Sequence, residues 1–178
     1  SRKNAGADAW AGDSDVLDDI AKTEFVGYAD MKATAKVTAI VKDGARVEAV
    51  ETGDDIVFTL DRTSFYAESG GQVGDTGVIT NDSCTIRVLD TTKNAAGVFI
   101  HKAVVEEGFL REGDTVEAVV DVERRRAIMR NHTAAHLLQA ALRSVLGDHV
   151  EQAGQLVNEN AVRFDFTHFS ALTDEELL

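Results

Sequence analysis

The segment Asn131-His132-Thr133-Ala134-Ala135-His136 concentrates more chemistry than any other in this sequence. Histidines at i and i+4 leave one helix face a turn apart, so two imidazoles can reach a single Zn²⁺. No glutamate follows the first histidine, and the metalloprotease pattern is not met. Two readings stand: a metal site, or two structural histidines on the flank of an apolar stripe. A zinc site takes at least one more protein ligand. His101, His149, His168 and Cys84 are present, and none has ligand spacing.

Three further segments carry candidate chemistry. Between Asp61 and Gly77 the chain places Gly70, Gly71, Gly74 and Gly77 around Gln72. Such a stretch lets backbone turn sharply or lie close to another group. It reads either as a bulged turn or as a loop that sets Gln72 beside a ligand. It lacks the lysine of a phosphate-binding P-loop. Arg124, Arg125, Arg126 and Arg130 follow one another with no acid between them. They read either as a solvated helix start or as a grip on a phosphate-rich end. In Val162–Phe169, alternating Phe164 and Phe166 mark a buried strand face, which leaves Arg163 and Asp165 together on the other. That second face is either a surface pair or the wall of a cleft.

These residues need elements to hold them. Residues 1–24 read as a connector, with Trp10 and a short helical spacing of Val16, Leu17 and Ile20. From 25 to 122 the period is two. Ala35, Val37, Ala39 and Val41 predict one buried face opposite Lys36, Thr38 and Ile40. Asp43-Gly44 is a hairpin signal, followed by a strand through Val47 and Ala49. Ile56–Leu60, Gly77–Thr80, Cys84–Leu89, Val98–Val105 and Thr115–Val122 continue the series. Short strands at this spacing predict a small antiparallel barrel or sandwich. At Glu123 the period becomes helical, with Ile128, Ala135, Leu138, Leu142, Val145 and Leu146 on one stripe and Gly147 closing the helix. A strand pair, 154–157 and 161–166, follows. Thr173 and Glu176 then form a capping box. The expected class is α+β: a small antiparallel β-barrel at 25–122, then the opening part of a second domain at 123–178.

Composition narrows the classes. Of the 178 residues, 31 are acidic and 18 basic, a net charge of −13 that repels polyanions at long range. With 44% apolar and 28% charged residues the chain is not intrinsically disordered. No apolar run is long enough to span a bilayer, and no membrane partner is expected. The polar N-terminus predicts no secretory signal. A single cysteine excludes an internal disulfide and a four-cysteine zinc site, and fits a cytoplasmic setting. The chain opens on Ser1 and stops shortly after a helix start, so a piece of a longer protein is expected.

Taken together, FYAESGGQVGDTG, VFIHKAVVEEG, VDVERRRAIMRNHT and NHTAAHLLQAALRSVLGDHVEQAGQLVNENAVRFDFTHFSALTDEE resemble the editing region of the bacterial alanyl-tRNA synthetase family. The resemblance runs through residues 25–178. It implies a β-barrel with a GGQ loop, followed by the N-terminal part of a zinc editing domain. It implies hydrolysis of serine or glycine wrongly attached to tRNA(Ala), within a parent that is an ATP-dependent ligase. His132 and His136 match the first half of the family's zinc ligands; the CxxxH half is absent from these residues. Gln72 matches the glutamine that enters the editing pocket. Thr133 matches the threonine that contacts a serine hydroxyl. Arg124, Arg125, Arg126, Arg130 and Arg163 are the implied contacts to the acceptor end of tRNA(Ala). ATP and Mg²⁺ belong to the parent's aminoacylation domain, outside these residues; its other domains are implied partners. Ser64 and Ala135 depart from the family's usual proline and threonine. The alternatives are a free-standing alanyl-tRNA editing protein and a non-catalytic module that docks tRNA or another domain.

Overall fold

A computed structural model describes residues 15–177. Trp10 and the first part of the expected connector lie outside them. Contacts divide the described chain into two compact units, the first comprising residues up to Glu68 with Gly74–Asp121, the second comprising Ser69–Val73 with the chain from Val122 onward. The sequence boundaries group Gly70–Gln72 with the barrel. In the structure the backbone of this loop is bonded to residues of the second unit.

The first unit is a closed antiparallel β-barrel of six strands. The strands are β1 (Lys32–Lys42), β2 (Asp55–Leu60), β3 (Gly77–Asn81), β4 (Cys84–Lys93), β5 (Phe99–Arg111) and β6 (Thr115–Val120). Around the barrel the order is β6-β3-β4-β5-β2-β1, and pairing of β1 with β6 closes it. Closure removes the open edges that invite aggregation. The core holds Phe58, Leu60, Ile79, Ile86, Val105 and Leu110 among others, each at most 1% exposed.

Three details depart from the periodicity. The expected strand through Val47 and Ala49 is two short strands, Ala45–Val47 on β1 and Ala49–Glu51 on β5. The chain changes partner between them. The expected face Ala35, Val37, Ala39, Val41 also breaks. A register shift between Val37 and Ala39 carries Ile40 into the barrel core with Ala35 and Val37. Ala39 and Val41 instead join Val57 and Leu17 in a separate apolar cluster. One inserted residue flips every later side chain to the opposite face. The third departure is at the end of the barrel: β6 stops at Val120, short of the expected Val122.

The second unit is built on α1 (Val122–Leu146), β7 (Gln152–Val157), β8 (Val162–Phe166) and α2 (Asp174–Leu177). β7 and β8 form the predicted antiparallel pair. The capping box forms as well: the Thr173 N–H donates to Glu176 Oε2 at 2.8 Å, and the Glu176 N–H to Thr173 Oγ1 at 3.3 Å. The apolar stripe of α1 is only half covered. Ile128 and Ala135 pack with Val157, Val73 and Val162, whereas Leu138 and Val145 are 42% and 57% exposed. The buried residues of the helix, Arg125, Ile128 and Ala135, end at Ala135. Among the described residues no helix is long and apolar enough to cross a membrane.

Candidate functional site

The site is a glycine-rich loop fastened to β7 and aimed at one face of α1. The Val157 N–H donates to Gly71 O at 2.7 Å, and the Val73 N–H to Val157 O at 3.1 Å. Gln72 thus forms an isolated bridge with Val157 while its own N–H and C=O pair with Ser69. Gln155 Nε2 donates to Gly70 O at 2.6 Å. Gly71 sits at φ +84°, and a Cβ there would lie 2.4 Å from the backbone oxygen of Gln155. Only glycine permits this approach. The diglycine therefore exists to lay Gln72 against the hairpin.

With its backbone fixed, the side chain of Gln72 is buried and reaches His132, 60 residues away in sequence. Its Oε1 faces His132 Nδ1 at 2.5 Å. An amide oxygen only accepts, so Nδ1 is the donor, and in the neutral ring this tautomer leaves the lone pair on Nε2. His136 stacks beside His132, ring centroids 4.8 Å apart and 23° from parallel. Thr133, between them, is exposed and donates its hydroxyl proton to Met129 O at 3.1 Å. Its oxygen remains an acceptor.

A second fastening was not anticipated from the sequence. Asn131 Nδ2 donates to Asn158 O at 2.7 Å. Asn158 Oδ1 in turn accepts from the N–H groups of Asn160 and Ala161. This ties the helix residue before His132 to the turn between β7 and β8. The asparagine-rich turn Asn158-Glu159-Asn160 was the available signal, since asparagine closes turns through its own side chain.

The arginines separate. Arg125 is buried. Arg124 pairs with Glu159 at 3.1 Å. That carboxylate is held below its usual range, first by its own backbone N–H and then by Arg124. Arg126 and Arg130 are exposed. Arg163 pairs with Asp165 on its own strand at 2.8 Å.

The other metal-ligand candidates are engaged elsewhere. His101 and Cys84 are buried in the barrel. Burial pushes the Cys84 thiol up. His149 and His168 face each other, Nε2 to Nδ1 at 2.9 Å. Among the described residues no group of three His, Cys, Asp or Glu side chains is placed to hold a metal ion. His132 and His136 suit two positions of a zinc site. The Nδ1–H of His132 bonded to a carbonyl oxygen is the usual arrangement behind a ligating Nε2.

The chain has relatives among known proteins. A family model described as tRNA synthetases class II (A) matches residues 1–124. The alanine–tRNA ligase of Acetivibrio thermocellus is 52% identical over 170 residues, covering 95% of this chain and 19% of that protein. That of a Thermoanaerobacter species is 52% identical over 156 residues, 88% of this chain and 18% of its own length. That of Rhodopseudomonas palustris is 46% identical over 186 residues, 99% and 21% respectively. The chain spans about a fifth of the length of the curated relatives it matches.

Proposed function

The chain belongs to the class II (A) tRNA synthetase family, and from its site we propose that it is the part of an alanine–tRNA ligase that removes wrongly attached serine or glycine from tRNA(Ala). The observation that carries this reading is the bond between Gln72 and His132. A loop and a helix distant in sequence are both held so that one imidazole has a defined tautomer. The chemical need is simple. A pocket made for alanine discriminates poorly against glycine, because one missing methyl group is worth only about 1–3 kcal/mol. A second, hydrolytic site restores fidelity.

In the reaction, water oxygen bonds to the ester carbonyl carbon, the bond to the ribose oxygen breaks, and a proton passes to that oxygen. Gln72 holds the proton of the neutral His132 ring on Nδ1, so that Nε2 keeps its lone pair. Thr133 Oγ1, having donated to its own helix, accepts from the hydroxyl of a seryl group. His132 Nε2 and His136 would hold zinc, which supplies a Lewis acid when bound; the remaining ligands are not among the described residues. Arg126 and Arg130, exposed on the first half of α1, suit the phosphates of the acceptor end. ATP, Mg²⁺ and the alanine site belong to the rest of the ligase.

The test is deacylation of Ser-tRNA(Ala) by the full-length ligase. Replacing His132 with Ala abolishes hydrolysis and leaves alanine attachment nearly intact. Replacing Arg126 with Ala weakens tRNA engagement, most at low salt where the lost phosphate contact is least screened, and saturating tRNA restores the rate. Normal hydrolysis by the histidine variant overturns the enzymatic reading in favour of a docking module.

A further inference from the structure

A second concave surface lies wholly in the barrel unit, at the start of its chain and the turn between β4 and β5. It is a cavity of about 510 Å³ lined by Lys22, Phe25, Tyr28, Lys93 and Phe99 among others. That volume is within the roughly 300–1,000 Å³ of small-ligand sites. Its rings form one cluster. Phe25 stacks on Phe99 with centroids 5.4 Å apart, and Phe25 and Tyr28 form a T-shaped pair at 4.9 Å. Phe99 is buried, while Tyr28 is 88% exposed, the most exposed large hydrophobic side chain among the described residues. Tyr28 is thus anchored through Phe25 while most of its ring surface stays open to solvent.

Cations border the same cavity. Lys93 Nζ lies 5.7 Å from the centroid of Phe99. The Lys22 stem runs along Gly97, where a Cβ would come within 3.1 Å of it. The acid at this surface, Glu24, faces Arg62 at 3.7 Å. In a chain of net charge −13, two lysines beside an exposed ring are a local reversal of sign. Stacking rings flanked by backbone-tracking cations are the physical requirement for single-stranded nucleic acid.

We infer that this cavity is a binding site for single-stranded RNA, with one base stacked on Tyr28 and its flanking phosphates held by Lys22 and Lys93. The choice of RNA rests on the tRNA reading above; the platform itself does not. The site is separate from Gln72 and His132, so it would guide or retain the nucleic acid and takes no part in hydrolysis.

The test uses the 178-residue chain and a fluorescein-labelled twelve-nucleotide oligouridine carrying one 5-iodouridine. Fluorescence anisotropy reads affinity, and irradiation followed by peptide mapping reads the contact. Tyr28→Ala lowers affinity about tenfold, as loss of one stacked base does, and removes the crosslink; Tyr28→Phe keeps both. Replacing Lys22 and Lys93 together with Ala flattens the plot of log affinity against log salt by about 1.4, since single strands give roughly 0.7 per phosphate. Unchanged affinity in Tyr28→Ala, a crosslink that maps elsewhere, or no binding by the parent chain overturns the site. Each of these results leaves the deacylation test of His132 standing, and failure of that test leaves Tyr28 untouched.

Discussion

The two units bury their side chains in opposite measure. The barrel closes on a continuous interior of Phe58, Leu60, Ile79, Ile86, Leu110 and their neighbours. The second unit buries Ile128, Ala135 and Val157, while Leu137, Leu138 and Val145 of the same helix stand in solvent. Yet Gln72, His132 and His136 all belong to the second unit. Local stability and the candidate site are therefore supplied by different parts of the chain. A site set on a thinly packed element needs polar fastenings, which is what the Gly71, Asn131 and Gln155 bonds provide.

The largest expected effect probes that contrast directly. Phe58 has no solvent exposure, and Phe58→Ala costs about 3–5 kcal/mol through lost transfer energy and the cavity left behind. Leu138→Ala, at a half-exposed position, costs under about 1 kcal/mol. Urea unfolding of both variants measures this. Equal losses would mean that the exposed half of α1 is as tightly packed as the barrel.

A smaller effect belongs to the barrel alone and depends on pH. His101 is fully buried between Phe58 and Phe65. Its Nδ1 donates to Phe58 O at 3.2 Å, and Nε2 accepts from Thr63 Oγ1 at 2.9 Å, the hydroxyl in turn accepting from the Phe65 N–H. Desolvation lowers its pKa from 6.5 to about 4. The unfolded chain binds a proton there that the native ring refuses. The stabilising contribution is thus complete above pH 6.5 and is lost as pH falls toward 4. At 1.36 kcal/mol per pKa unit it amounts to about 3 kcal/mol. Comparing urea midpoints at pH 7 and pH 4.5 in the parent and in His101→Gln measures it. An identical fall in both would assign the pH dependence to other groups.

Much of this architecture is legible in the residues and some is not, for identifiable reasons. Period-two alternation locates the barrel strands, and Asp43-Gly44 makes its hairpin with φ of +51° and +75°. The bulge after Val37 leaves no mark in the alternation, because Ala39, Ile40 and Val41 are all apolar and suit either face. The stripe on α1 is correctly helical, but periodicity reports which face is apolar and says nothing of how far a partner extends along it. Spacing alone leaves His132 and His136 open between metal site and structural pair. The link from Gln72 across 60 residues is invisible to any local pattern; the resemblance to a family supplied it. His101 was a candidate ligand by residue type, and the barrel uses it as a neutral core group.

The smallest expected effect sharpens the comparison at the junction of packing and chemistry. Gly71→Ala sets a Cβ at 2.4 Å from the backbone oxygen of Gln155, in a conformation of positive φ. Such strain is worth on the order of 1–3 kcal/mol. The flanking backbone bonds to Val157 are the strands of attachment that must yield, because Gln155 O belongs to a paired strand and cannot withdraw alone. The loop then lifts, Gln72 loses His132, and the imidazole is no longer held as one tautomer. The barrel, which contains none of these atoms, keeps its stability. Nitrogen-15 chemical shifts of the His132 ring, which distinguish protonated from unprotonated nitrogens, move toward a tautomer average in the variant while amide exchange in the barrel strands stays unchanged. A ring that keeps its Nδ1–H signal in Gly71→Ala would show that Gln72 is held by its side chain and that the diglycine serves the turn alone.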